Sequence, residues 1–334
     1  MHKELELWQF IAERLKEPQP VMLLVVAESS GSSPGRQGYK MAIGVGGGLS
    51  GSIGGGVMEV NLVEQSRELL GAPGYLHTSP PGGADPAAFL KSQIHRRNEP
   101  NASGMICSGK QTVIFRLLTL DDTKSVETII ESLKTRKEDH LNISPKTFAV
   151  GPPKEGTRRK DIHFEKQSDT DFSYSERLGP KNDLFIVGGG HCALALSELM
   201  SRMDFCIRIF DDRPELNTIE KNRFADEIRI IDNYESIADL IPSSKQTYVV
   251  VMTLGYKSDE VVIRKLLDKE FKYFGVLGSK AKMKALLNEL KKEGYSADKL
   301  VQIHTPIGLP INSRTPEEIA VSIAAEIIAV KNAV

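Results

Sequence analysis

The chain has 334 residues, 40% hydrophobic and 26% charged, with 43 Lys and Arg against 44 Asp and Glu for a formal net charge of −1. That length is more than one hydrophobic core usually fills, so two domains are expected. The balanced charge excludes a general nucleic-acid or membrane-surface binder, and the three cysteines (Cys107, Cys192, Cys206) have neither metal-ligand spacing nor a disulfide framework, which points to a reducing, cytoplasmic setting.

In chain order, residues 1–16 carry Leu5, Trp8, Ile11, Ala12 and Leu15 at helical spacing among charges, an amphipathic helix and not a signal peptide. The apolar run 21–27 is a buried strand, far too short to span a bilayer. Residues 28–38, rich in Gly, Ser and Pro, make a loop; 40–45 form a second strand and 46–48 a hairpin turn. The stretch Ser50-Gly51-Ser52-Ile53-Gly54-Gly55-Gly56 then runs into a helix over 57–70. Beyond it come a loop at 79–83, a short helix at 87–95, and a strand within 105–118 opened by Cys107-Ser108-Gly109. A helix over 124–136 and short polar strands between 147 and 174 follow.

The second half alternates. A strand at 183–187 meets Gly188-x-Gly190-x-x-Ala193, a helix over 193–203, and a strand at 205–210 ending in Asp211-Asp212-Arg213. Further strands at 228–231, 248–253 and 273–277 alternate with helices at 258–271 and 281–293. Thr315, Pro316 and Glu318 give the last helix a capping box. The expected fold class is α/β: an N-terminal mixed α/β domain, residues 1–179, and a C-terminal Rossmann-like doubly wound parallel sheet, residues 180–334, joined at Leu178-Gly179-Pro180-Lys181.

Both glycine loops precede helix starts, where unpaired N–H groups and partial positive charge favour an anion: Gly54, Gly55 and Gly56 in the first, Gly188 and Gly190 in the second. Near the first, Ser32, Ser33, Arg36 and Lys40 set hydroxyls and cations beside a glycine-bent backbone, a mix that suits phosphate or equally a set of tight turns. In the second, Asp211 stands where a ribose hydroxyl would be accepted in a dinucleotide unit. His191 and Cys192 lie at the phosphate turn; Cys192 and Cys107 are the reactive-thiol candidates, and Cys206 is core packing. No metal site is expected, and a homodimer is expected on general grounds.

By these segments the chain resembles the xanthine dehydrogenase accessory factor (XdhC/CoxI) family. The matching runs are Gly31-Ser-Ser-Pro34-Gly-Arg36-Gln-Gly38-Tyr-Lys40-Met41, Gly51-Ser-Ile-Gly-Gly-Gly56-Val-Met-Glu59, Val187-Gly-Gly-Gly-His191, Asp211-Asp-Arg213, Gly275-Val-Leu-Gly278-Ser279-Lys280, His304-Thr-Pro-Ile-Gly308-Leu and Thr315-Pro-Glu-Glu-Ile-Ala-Val-Ser-Ile323. The resemblance implies a non-catalytic maturation factor that carries the molybdenum–pyranopterin cofactor, supports its sulfuration and delivers it to a xanthine dehydrogenase-type molybdenum hydroxylase, with a sulfurtransferase as further partner. It adds Glu59, Arg213, Gly278 and Ser279 to the cofactor-binding set. The chain departs from many relatives at Ser108, where they have glycine, and after Thr253, where they often place a histidine. The alternative is an NAD-dependent oxidoreductase or a nucleotide-binding protein using the C-terminal fingerprint, although no acid–base pair for hydride transfer is apparent. A cofactor-free interaction scaffold is the third reading.

Overall fold

The apolar run at residues 21–27 is wholly buried because it lies in the middle of a sheet covered on both faces. The computed structural model describes residues 2–71, 88–95, 109–135, 137–153, 161–203 and 205–333. The chain divides into two units, His2–Gly179 and Pro180–Val334.

The N-terminal unit comprises α1 (His2–Lys16), β1 (Val21–Gly31), β2 (Lys40–Gly44), β3 (Leu49–Gly51), α2 (Gly56–Gly71), β4 (Ala88–His95), β5 (Gly109–Leu118), α3 (Thr123–Thr135), β6 (His140–Ile143), β7 (Phe148–Gly151), β8 (Ile162–Ser168) and β9 (Asp171–Arg177). A five-stranded antiparallel sheet runs β3-β2-β1-β5-β4, and a four-stranded one runs β7-β6-β9-β8. Alternation along β1 sorts the core. Leu23, Val25 and Ala27 pack with Trp8, Ile11, Ile129 and Leu141, whereas Met22, Leu24 and Val26 pack with Ile53, Met58 and Leu62. Each such side chain contributes roughly 1.5–3 kcal/mol by leaving water. The short helix expected at 87–95 is instead strand β4, paired with β5 from Ala88↔Arg116 to His95↔Gly109. Its hydrogen bonds come from a later strand, which local spacing does not reveal.

The C-terminal unit comprises β10 (Asn182–Val187), α4 (His191–Met200), β11 (Phe205–Asp211), α5 (Asn217–Lys221), β12 (Glu227–Ile230), α6 (Ile237–Leu240), β13 (Ser244–Val251), α7 (Tyr256–Leu266), β14 (Phe271–Val276), α8 (Lys280–Lys292), α9 (Ala297–Val301), β15 (Ile303–His304) and α10 (Pro316–Asn332). Its six strands are parallel in the order β12-β11-β10-β13-β14-β15. That is the doubly wound order expected, with its topological switch between β10 and β13. Leu196, Met200, Ile323 and Ile327 of α4 and α10 cover one face, and Val262, Leu266, Met283 and Leu286 of α7 and α8 cover the other. The capping box of α10 is formed: Glu318 N donates to Thr315 Oγ1 at 3.2 Å and Thr315 N to Glu318 Oε2 at 3.2 Å.

Candidate anion-binding loops

In the N-terminal unit, Gly54, Gly55 and Gly56 have φ of 128°, 76° and 70°, a left-handed run open to glycine. A Cβ on Gly54 would lie 2.4 Å from Gly35 N, and one on Gly35 would lie 2.0 Å from Ile53 O, so the two loops interlock through bare backbone. Gln111 ties them again, its Nε2 donating to Ile53 O at 3.0 Å while its Oε1 accepts from Ser33 Oγ at 2.8 Å. Ser32 and Arg36 remain exposed beside this cluster.

The amides of this nest are already met from within. Glu59 Oε2 accepts from Ser52 Oγ at 2.7 Å, Ile53 N at 2.8 Å and Gly55 N at 2.9 Å, and Gly54 N donates to Ser52 Oγ at 3.2 Å. Burial works against ionising Glu59, but the Ser52 hydroxyl and the loop amides outweigh it and hold its carboxyl below the usual range. This corrects the expectation for Gly54, Gly55 and Glu59: an internal carboxylate sits where an external oxyanion was placed.

Two more residues of the expected oxyanion set are corrected. The Ser33 side chain is buried on Gln111. The buried Lys40 ammonium lies 2.7 Å from Glu176 Oε2 and 3.2 Å from Glu4 Oε1, and donates to Gly38 O at 3.1 Å, while Tyr174 OH donates to Glu176 Oε2 at 2.8 Å. Burial acts to lower its pKa, but Glu176 and then Glu4 raise it above the usual lysine value. Lys40 anchors the loop from beneath and does not face a ligand.

In the C-terminal unit, Gly188 has φ 110° and a Cβ there would lie 2.3 Å from Met252 O, so glycine permits both the turn and the approach of β13. Gly189 N donates to Asp211 Oδ2 at 2.6 Å. Asp211 is fully buried and also accepts from Arg213 N at 2.9 Å, Nε at 2.9 Å and Nη2 at 2.7 Å. Burial opposes its ionisation, yet the Arg213 and Gly189 hydrogen bonds hold its carboxyl below the usual range. The expected ribose acceptor is therefore corrected to a structural brace of the turn, and it fixes the half-exposed Arg213 guanidinium.

What stays open is the switch point itself. Gly190 caps α4 in extended geometry (φ −71°, ψ −168°) with no side-chain cap, and a Cβ there would meet nothing within 4 Å. Gly255 caps α7 in the same uncapped, open way at the end of the neighbouring strand. His191 is exposed at the first position of α4. Asp259 braces the second loop, accepting from Thr253 N at 3.1 Å and Thr253 Oγ1 at 2.6 Å. One strand further out, exposed Ser279 accepts from Lys282 N and so caps its own helix, while a Cβ on Gly278 would lie 2.7 Å from Met283 Cε.

The thiols divide. Cys206 is buried in β11 as core. Cys192 is half-buried, and burial with Glu317 nearby pushes its thiol up, against the reactive reading. Cys107 lies outside the described residues. Among the described residues no group of His, Cys, Asp and Glu is placed to hold a metal, and no helix is long and apolar enough to cross a membrane. Sequence reasoning missed Gln111, Glu176 and Asp259, whose partners are fixed only by tertiary pairing, and also Gly255, whose position between an apolar strand and a helix was the available signal.

Comparisons with known proteins bear on both units. The family model described as XdhC and CoxI family matches residues 14–78, and the XdhC Rossmann domain model matches residues 184–327. A probable xanthine dehydrogenase subunit from Bacillus subtilis (strain 168) is 29% identical over 167 residues, 50% of this chain and 48% of that protein. The uncharacterized protein YqeB of Escherichia coli (strain K12) is 25% identical over 154 residues, 46% of this chain and 28% of that protein. The chain thus matches about half or less of the length of these curated relatives. The crystal structure of a xanthine dehydrogenase from Bacillus halodurans shares the fold, with a TM-score of 0.68 at 23% identity over 98% of this chain and 96% of that one. The two family matches take in the two glycine loops and most of the sheet behind the second, and the chain belongs to the XdhC and CoxI family.

Proposed function

We propose that this protein is an accessory factor for a xanthine dehydrogenase-type molybdenum hydroxylase, and that it holds the phosphate of the molybdenum–pyranopterin cofactor at the switch point of its C-terminal unit. The observation that carries this reading is the pair of uncapped, open helix starts at Gly190 and Gly255 on neighbouring strands. Two such starts aim unpaired amides and partial positive charge at one end of the sheet. Family membership and the name of the Bacillus subtilis relative support the client class.

The Gly190 and His191 amides would hold the phosphate, with the Arg213 guanidinium kept in place by Asp211. The cofactor, when bound, supplies the molybdenum and its dithiolene; this chain's part is to bind, shelter and release it, and to support its sulfuration with a sulfurtransferase as sulfur donor. A cytoplasmic homodimer belongs to the same proposal. The NAD reading uses the same crevice but lacks its ribose acceptor, because Asp211 is buried and engaged.

Gly190→Asp tests the site. The extended geometry accepts a side chain, and Asp caps helices well, so α4 should hold or gain a few tenths of a kcal/mol while the new charge repels phosphate. Protein mixed with purified cofactor is desalted, and retained pterin is read by fluorescence after oxidation. Retention by wild type and its loss in Gly190→Asp, at an unchanged or higher thermal midpoint, is expected. Equal retention by both refutes the site, and no retention by wild type refutes the carrier reading.

A further inference from the structure

Helix α8 differs at its start from α7 before it, α9 after it and the last helix, α10, although α4 also begins without an acid. The first turns of α7, α9 and α10 carry Asp259, Asp298, and Glu317 with Glu318, as the positive end of a helix favours. The first turn of α8 has no acid and carries Lys280 and Lys282, with Lys284 just beyond it. Cations in that turn oppose the helix dipole, so folding alone does not account for Lys280 and Lys282.

The charges of α8 are also segregated. Its acids turn toward α7, where Glu289 accepts from Tyr256 OH at 2.9 Å and Glu293 binds Arg264 at 2.8 Å. Lys282 shares that side; burial pushes the Asp259 carboxyl up, and the Thr253 hydrogen bonds and the Lys282 charge act against that rise. Lys280, Lys284 and Lys291 fall on the opposite flank at i, i+4 and i+11, all exposed and none paired with a carboxylate among the described residues. At 1.5 Å per residue they form a straight cationic stripe about 16 Å long. By contrast, Lys265 and Lys299 in the same unit lie 2.8 Å and 2.5 Å from Glu235 and Asp268.

We propose that the outer flank of α8 is a docking surface for an acidic helical segment of a partner protein. A helix bearing carboxylates at i, i+4 and i+11 repeats the stripe's rise and places one anion on each lysine. A single phosphate reaches one or two of them. The charge of the whole chain, −1, gives no general attraction for polyanions, so the stripe stands as a local feature.

The test uses the full chain and a fluorescein-labelled helical peptide with Glu at i, i+4 and i+11, read by anisotropy. A peptide with Gln at those positions, inorganic tripolyphosphate and phosphatidylserine vesicles are the comparison probes. Binding of the Glu peptide should weaken about tenfold between roughly 50 and 200 mM salt. The K280E/K284E/K291E variant should lose at least about tenfold in affinity, while K134E/K146E/K221E, reversing exposed lysines elsewhere, stays within about twofold. K280E relieves the start of α8 while K291E places an acid in its last turn, so the two effects oppose and the thermal midpoint should stay within about 2 °C of wild type, and lost binding at an unchanged midpoint is not unfolding. Equal losses in the two variants, no binding by wild type, or tighter binding of Gln peptide, tripolyphosphate or vesicles would overturn the proposal. None of these results depends on the carrier reading, which has its own readout in retained pterin.

Discussion

Asp211→Ala removes the carboxylate that closes the turn between β10 and α4, and its effect can be worked from the contacts. The Gly189 amide is buried, and losing its acceptor costs about 1–3 kcal/mol. The Arg213 side chain is 29% exposed and can turn to water, so its pairing contributes nearer to about 1 kcal/mol after screening. Together the loss is about 3 kcal/mol for the C-terminal unit, near 150-fold in its folding equilibrium. Trp8 is the chain's only tryptophan and lies in the N-terminal core, so its fluorescence follows that unit in urea while far-ultraviolet dichroism follows both. With a slope of about 2 kcal/mol/M, the dichroism transition of the C-terminal unit should fall by about 1.5 M and the Trp8 transition should not move. Because the Asp211 carboxyl is held below its unfolded value, its contribution is present above about pH 4 and fades as pH falls through the folded value, so the two proteins converge in acid. If Asp211→Ala leaves both transitions in place and instead abolishes NAD binding, the residue is a ribose acceptor and the brace argument fails.

Other outcomes follow from the same contacts. Glu59→Gln should lower the thermal midpoint above about pH 4.5, and the gap from wild type should close as pH drops toward 3, since a depressed carboxylate contributes only when ionised; a gap that is constant with pH would contradict the nest. Gly188→Ala, at φ 110° with backbone 2.3 Å from the new Cβ, should cost more than about 3 kcal/mol, whereas Gly55→Ala, at φ 76° in open space, should cost about 1–2 kcal/mol by denaturant titration. Lys40→Met leaves Glu4 and Glu176 without their cation and should cost about 3–5 kcal/mol by Trp8 fluorescence. Adding Glu176→Gln should recover part of that loss, and a strictly additive double variant would show that the pair does not act as a unit.

How far the sequence could be read depended on whether the deciding partner was local. The start of α10 was legible because Thr315, Pro316 and Glu318 complete their cap within one turn. The C-terminal fold was legible because Gly188, Gly190 and Ala193 sit between two apolar strands at short range. Strand β4 was not, since Ala88–His95 pairs along its full length with β5. The candidate site was misread for one reason: Lys40, Ser33, Glu59 and Asp211 look like ligand-binding groups by type, yet each finds its counter-group inside the fold. For Lys40 and Ser33 that partner, Glu176 or Gln111, is remote in the chain. Asp211 sits at the spacing expected for a ribose acceptor, and only the geometry shows its oxygens turned onto Gly189 and Arg213. The helix start at Gly190 stays open, as does the one at Gly255, which the sequence reading did not single out.

The contact between Gly35 and Gly54 couples two stretches of chain that are separate in the sequence. Each leaves out a methyl because the other's main chain is already there, at 2.0 Å and 2.4 Å from where those carbons would stand. Neither segment can shift alone without colliding with its counterpart, so the pair behaves as one hinge-less wall. A side chain acquired at either position would have to be answered by movement of both, and a library varying only one loop should return glycine at these two sites whatever is selected elsewhere.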